Sequence, residues 1–171
     1  MPTPILALPY PAASDPADVP ADIKKLADRI EALLATPLAY QEFTANVPVA
    51  ATAELAATTV VTAPAVTTDG SPIVVEFYAA FVVPAAVVGA YIYFFLYDGA
   101  TSQGLLAGVM NPSAAANSGT PVFLQRRLTP SAGSHTYSMR AAGAGTPVGN
   151  VYAGVGGAGI WNPGFIRVRR A

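Results

Sequence analysis

The residues able to do chemistry in this chain are few. His135 is the only histidine and there is no cysteine, which removes disulfides, thiolate metal sites, cysteine nucleophiles and multi-histidine metal centres together. A histidine general base needs a nucleophile and an orienting acid beside it. No Asp or Glu follows Asp98 in the sequence, so His135 is expected to be a packed or hydrogen-bonded structural residue. A glycosidase would need two carboxylates flanking a cleft. Glu76 alternates with Ile73, Val75 and Phe77 and so should point away from the core, while Asp69 and Asp98 each precede a glycine in a turn. Asp15, Asp18 and Asp22 suit a helix start better than a calcium loop, since the loop's glycine and terminal Glu are missing.

The string Gly154-Val155-Gly156-Gly157-Ala158-Gly159 satisfies G-x-G-x-x-G. A dinucleotide fingerprint needs that string to open a helix, and Ile160-Trp161-Asn162-Pro163-Gly164 cannot do so. Here the glycines are expected to let strands bend or backbones approach closely. No catalytic residue, cofactor or metal is expected. The remaining candidates are aromatic: Trp161 and Tyr152 could stack on sugars at a surface, although aromatics of an all-β chain are more often core or interface residues. Arg167, Arg169 and Arg170 alternate with Ile166 and Val168, which suggests a solvated face or subunit salt bridges rather than nucleic-acid contact.

Composition narrows the class further. Of 171 residues, 53% are hydrophobic and only 11% charged, with 9 Lys+Arg against 10 Asp+Glu and a net charge of -1. An ion-poor, nearly neutral chain of this kind favours association and offers no general basic field to nucleic acid or anionic lipid. Its charge is segregated, because every charged residue from Arg126 onward is an arginine. The uncharged stretch between Glu76 and Asp98 is long enough on paper to span a bilayer, which takes about 20 residues of helix. Pro84 and Gly89 interrupt it, however, and Tyr91, Tyr93, Phe95 and Tyr97 alternate with Ile92, Phe94 and Leu96. Two strands and a turn explain it better, and no membrane insertion is expected.

Three zones must position these residues. Residues 1–19 are rich in proline and alanine and read as an extended arm that needs a partner to become ordered. Residues 20–37 hold a short helix, with Asp18 as N-cap, Pro20 in the first turn and Thr36-Pro37 at its end. Its apolar positions Ile23, Leu26, Ile30 and Leu33 form a two-heptad stripe, suited to self-association in a short bundle or, alternatively, to packing on its own domain. Residues 38–171 read as one antiparallel β-sandwich, so the fold class is mainly β. Strands are expected near 39–47, 56–63, 72–83, 90–98, 104–110, 121–128, 134–142, 150–156 and 164–170, separated by turns such as Asp69-Gly70, Asp98-Gly99 and Asn162-Pro163-Gly164.

Two stretches resemble a known group. Leu8-Pro9-Tyr10-Pro11, followed by Asp15-Pro16 and Asp18 through Ala27, is similar to the start of many phage virion proteins, the minor tail, tail-fibre and head-fibre proteins of siphophages infecting actinobacteria. Arg126 through Ser138 and the closing Pro163-Gly164-Phe165-Ile166-Arg167-Val168 are similar to C-terminal stretches of the same proteins. The resemblance implies a non-enzymatic homotrimer located in the virion. Residues 1–19, with Leu8, Pro9, Tyr10 and Pro11, would dock on another tail or capsid protein. The head would be a jelly roll like tumour-necrosis-factor and C1q modules, facing outward to a host cell-surface glycan. A minor tail or tail-fibre protein is the leading expectation, a capsid decoration or head-fibre protein the alternative, and a glycan-processing virion component a third. This chain lacks the shaft of long fibre proteins, so its head would sit near the particle surface.

Overall fold

The computed structural model describes residues 19–35, 37–113, 118–143 and 148–171. The helical periodicity of the N-terminal region yields α1 (Val19–Ala35), whose solvent side carries the ion pairs Lys24–Asp28 and Lys25–Asp22. The strands then run β1 (Ala39–Phe43), β2 (Val47–Val49), β3 (Thr58–Thr62), β4 (Val66–Asp69), β5 (Ile73–Pro84) and β6 (Tyr91–Asp98). They continue with β7 (Thr101–Met110), β8 (Thr120–Leu128), β9 (Ala132–His135), β10 (Tyr137–Gly143), β11 (Gly149–Tyr152) and β12 (Gly164–Arg170).

Every pairing between these strands is antiparallel. A six-stranded sheet is organised around β5, the longest strand. One edge of β5 binds β8, and the other binds β12 along its first half and β11 along its second; β1 flanks β12 and β2 flanks β11. A four-stranded sheet in the order β3-β10-β6-β7 lies opposite, and β4 with β9 forms a separate ribbon. The chain is thus mainly β, one helix followed by an antiparallel sandwich, as the alternating sequence pattern implies.

The core forms where the inward faces meet. Ile73, Val75, Phe77 and Ala79 of β5, with Ile166 and Val168 of β12, oppose Ile92, Phe94 and Leu96 of β6 and Met139 and Ala141 of β10, all buried. Phe77 joins the layers, with ring centroids 5.4 Å from Phe94 and 6.2 Å from Phe43. A register shift between Ala79 and Val82 inserts an irregularity in the β5–β8 pairing. Strand alternation alone would send Val82 outward, yet the shift lets both residues face the core.

Two expected strands are broken in the structure. The stretch 39–47 divides into β1 and β2, whose partners are β12 and β11 respectively. The stretch 134–142 divides at Thr136, whose amide donates to the Asp98 carboxylate (3.1 Å) and whose carbonyl accepts from Gly99 N–H (2.8 Å). Those bonds hold the backbone in a corner, so β9 pairs with β4 while β10 pairs with β3 and β6. The short strand β4 was not anticipated.

Candidate surface-binding site

Register arranges the outward side chains of the six-stranded sheet into rows, because residues directly opposite in an antiparallel pair share a face. Arg127, Val74 and Arg169 form one row across β8, β5 and β12. Gln125, Glu76, Arg167 and Tyr40 form the next, which reaches β1. Phe123, Tyr78, Phe165 and Glu42 form the third. Beyond the register shift, Phe81 of β5 lies opposite Tyr152 of β11.

Aromatic rings connect along this face. Tyr40 lies 5.6 Å from Phe165, which lies 5.7 Å from Tyr78. At the other end Phe81 stacks on Trp161, with centroids 5.0 Å apart and planes within 12°, and Tyr152 lies 6.3 Å from Phe81 and 6.5 Å from Trp161. Three aromatic residues of this face are well exposed: Phe123 at 56%, Trp161 at 45% and Tyr40 at 43%. Rings this open stand out on a sheet face, since large apolar rings normally find burial.

The glycine string explains how Trp161 reaches the band. The chain folds back between β11 and β12: Gly154 N–H donates to the Asn162 carbonyl, Gly156 N–H to the Trp161 carbonyl (2.9 Å) and Ile160 N–H to the Gly157 carbonyl. Gly156 and Gly157 have φ of 76° and 112°, a region that side chains with a Cβ rarely adopt. A Cβ at Gly154 would strike the Trp161 carbonyl and the Ile160 side chain. The string is a turn that carries a tryptophan, consistent with its expected role in strand bending and close approach.

Glu76, Arg167 and Arg169 of this face pair with one another. Glu76 faces outward yet is only 4% exposed, because Arg167 (2.6 Å) and Arg169 (2.9 Å) clamp its two oxygens. Burial pushes its carboxyl up, but the hydrogen bonds from Arg169 and Arg167 outweigh that and hold it below the usual range. Arg167 also lies over the Phe165 ring at 5.7 Å. At the β1 edge Tyr40 donates its hydroxyl to Glu42 (2.6 Å), and that bond raises the phenol's pKa. Arg127 is exposed and has no ion-pair partner among the described residues.

Elsewhere the titratable groups hold the structure. His135 Nδ1 meets the Asp98 carboxylate and its Nε2 the Ser131 carbonyl (3.0 Å), so both ring nitrogens are occupied. The hydrogen bond to Asp98 raises the pKa of His135. On the outer face of the four-stranded sheet, Phe95 and Tyr97 lie beneath the segment around Ala51 and Ala57, and Arg140 sits 4.0 Å over the Tyr97 ring.

Of the residues singled out from sequence, Trp161 and Tyr152 are therefore brought together, joined by Phe81. Leu8, Pro9, Tyr10 and Pro11 lie outside the described residues, as does the side chain of Leu33. Ile23 and Ile30 of α1 are exposed, at 61% and 38%, and Leu26 is half-buried. Sequence reasoning did not identify Phe81, Tyr78, Phe123, Phe165 and Tyr40 as parts of one face. Their alternation with core residues was visible, but the row that unites them depends on register between distant strands.

No family model matches the chain, and no curated protein matches it. Among solved structures, it is similar over 82% of its length to 93% of a carbohydrate-binding module, CBM6cm-2 from Cellvibrio mixtus lichenase 5A in complex with cellotriose, at 14% identity and a TM-score of 0.36. It is also similar over 80% of its length to 95% of the C-terminal CBM6 of LamC, a marine laminarinase from Zobellia galactanivorans, at 13% identity and a TM-score of 0.32. The sandwich architecture stands on the strand pairing itself.

Proposed function

We propose that the chain is a non-catalytic structural protein of a phage virion, of minor-tail or tail-fibre type, whose β head contacts the host surface. The observation that carries this reading is the open aromatic band on the six-stranded sheet, on a head whose His135, Asp98 and Glu76 are committed to structural bonds. Such a face is built for adhesion, with large rings ready to desolvate against a partner. The Leu8–Pro11 arm and the closing Pro163–Val168 stretch, similar to virion proteins, support the location. The exposed Ile23 and Ile30 support self-association through α1, in a homotrimer with residues 1–19 docked on a tail protein.

Immunogold microscopy of particles tests the location. Label at the tail is expected, label on the shell would make it a capsid decoration or head-fibre protein, and unlabelled virions would overturn the reading. Removal of residues 1–19 should leave a folded head that no longer joins particles. The variant Ile23→Asp/Ile30→Asp should convert the oligomer to a monomer by light scattering, without lowering the melting temperature of the head. Retention of purified protein on host cells, lost in Trp161→Ala, tests adhesion.

A further inference from the structure

We infer that the outer face of the six-stranded sheet binds an acidic polysaccharide, its rings stacking on pyranose faces while Arg127 and Arg169 meet the sugar's anionic groups. This deepens the adhesion reading above and rests on it. Along β5 the arginine row at Val74 and the Phe81–Trp161 stack are seven residues apart, roughly 20 Å at strand rise. That length suits an extended chain ligand rather than a single small molecule.

The two ends of the face differ in chemistry. Phe81 and Trp161 stack with nearly parallel planes, which leaves the outer face of the half-exposed indole as a flat apolar platform of the kind that takes the C–H face of a sugar ring. At the opposite end Arg169 and Arg167 share the single carboxylate of Glu76, each remaining about two-fifths exposed, and Arg127 stands beside them with no acidic partner among the described residues. The excess charge there is positive. Glu42, the remaining acid of the rows, lies at the far β1 edge and is engaged by Tyr40. A sparse positive end joined to an apolar platform fits a polymer that carries occasional carboxylates or phosphates. Single-stranded nucleic acid carries a phosphate at every residue and calls for a basic groove that tracks the backbone. Here the arginines occupy one end only and the chain's net charge is -1.

Calorimetry on the full chain tests this with four probes: a hyaluronate oligomer, whose uronate carboxylate recurs on every second sugar, a phosphomannan oligosaccharide, a neutral glucose oligomer of matched length, and a thymidylate oligomer. Binding of the uronate or the phosphomannan, several-fold tighter than the neutral oligomer and weakened by salt, is expected; the preferred probe separates a carboxylate from a phosphate ligand. Arg127→Gln should weaken acidic-glycan binding by about tenfold, the scale of one charge-assisted hydrogen bond. Trp161→Ala should weaken binding of any glycan while leaving the melting temperature near that of the parent. Equal binding of the neutral oligomer, or no effect of Arg127→Gln, would overturn the acidic class while leaving adhesion to glycans standing. Preference for thymidylate, or no binding of either anionic glycan, would overturn the inference outright. The particle label reports on the virion reading independently of all four.

Discussion

Phe81 and Trp161 come from a central strand and from the loop before the last strand, yet their rings stack at 5.0 Å with planes within 12°. The contact depends on the backbone crossing at Gly154. A methyl group there would meet the Trp161 carbonyl, so Gly154→Ala should displace the indole and destabilise the head by about 1–3 kcal/mol, as small-to-large changes in tight sites do. Trp161 is the only tryptophan, which makes its fluorescence a direct reporter. A red shift with a lowered melting temperature is expected, and an unchanged spectrum would show that the turn tolerates a Cβ.

Glu76 anchors two arginines from the neighbouring strand. Replacing it by Gln removes the charge but keeps the shape, leaving Arg167 and Arg169 to repel each other. Since both arginines are partly solvated, the loss should be about 1–2 kcal/mol, below that of a fully buried pair. Its depressed folded pKa means that this stabilisation is present above the ordinary carboxylate value and is lost as pH falls through the depressed one. Urea midpoints of the parent should therefore drop in acid more steeply than those of Glu76→Gln.

His135 has the opposite sign. Its hydrogen bond to Asp98 raises its folded pKa above 6.5, so the protonated form contributes stability that is complete below that value and fades as pH rises through the folded pKa. The melting temperature should hold steady below the ordinary histidine value and fall as pH rises from there through the raised one. His135→Gln should flatten that slope, and an unchanged slope would assign it to another group.

Tyr137 carries a buried cost. It is 1% exposed, its hydroxyl has no hydrogen-bond partner among the described residues, and burial pushes the phenol up to about 12. Tyr137→Phe should therefore be neutral or stabilising, by about 1 kcal/mol, because it deletes an unsatisfied polar atom without opening a cavity. A clear loss of stability would mean that the hydroxyl has a partner in solution, such as an ordered water.

Much of the architecture was legible in local pattern. Alternation in Ala90–Tyr97 separated the rings of Phe95 and Tyr97 from the core side chains of Ile92, Phe94 and Leu96, and Asp98-Gly99 marked the turn into β7. What escaped was non-local. β4 is four residues long and, among the described strands, pairs with β9 alone, so neither its length nor its composition separated it from a loop. The corner at Thr136 is set by a carboxylate far back in the sequence, which periodicity cannot register. Tyr152 and Trp161 were visible as candidate stacking residues, but Phe81 joined them only through the pairing of β5 with β11. The same holds for the arginine row, since Arg127 and Arg169 meet across Val74 rather than along the chain.

The last strand lies inside its sheet, between β1 and β5. β1 is made well before its hydrogen-bonding neighbour among the described strands, β12, which emerges only when residues 164–170 have been made. Until then both β1 and the clamp site on Glu76 wait unpaired. Closure of this layer waits on β12, and a nascent chain stalled before Gly164 would expose two bare strand edges to its neighbours on the polysome.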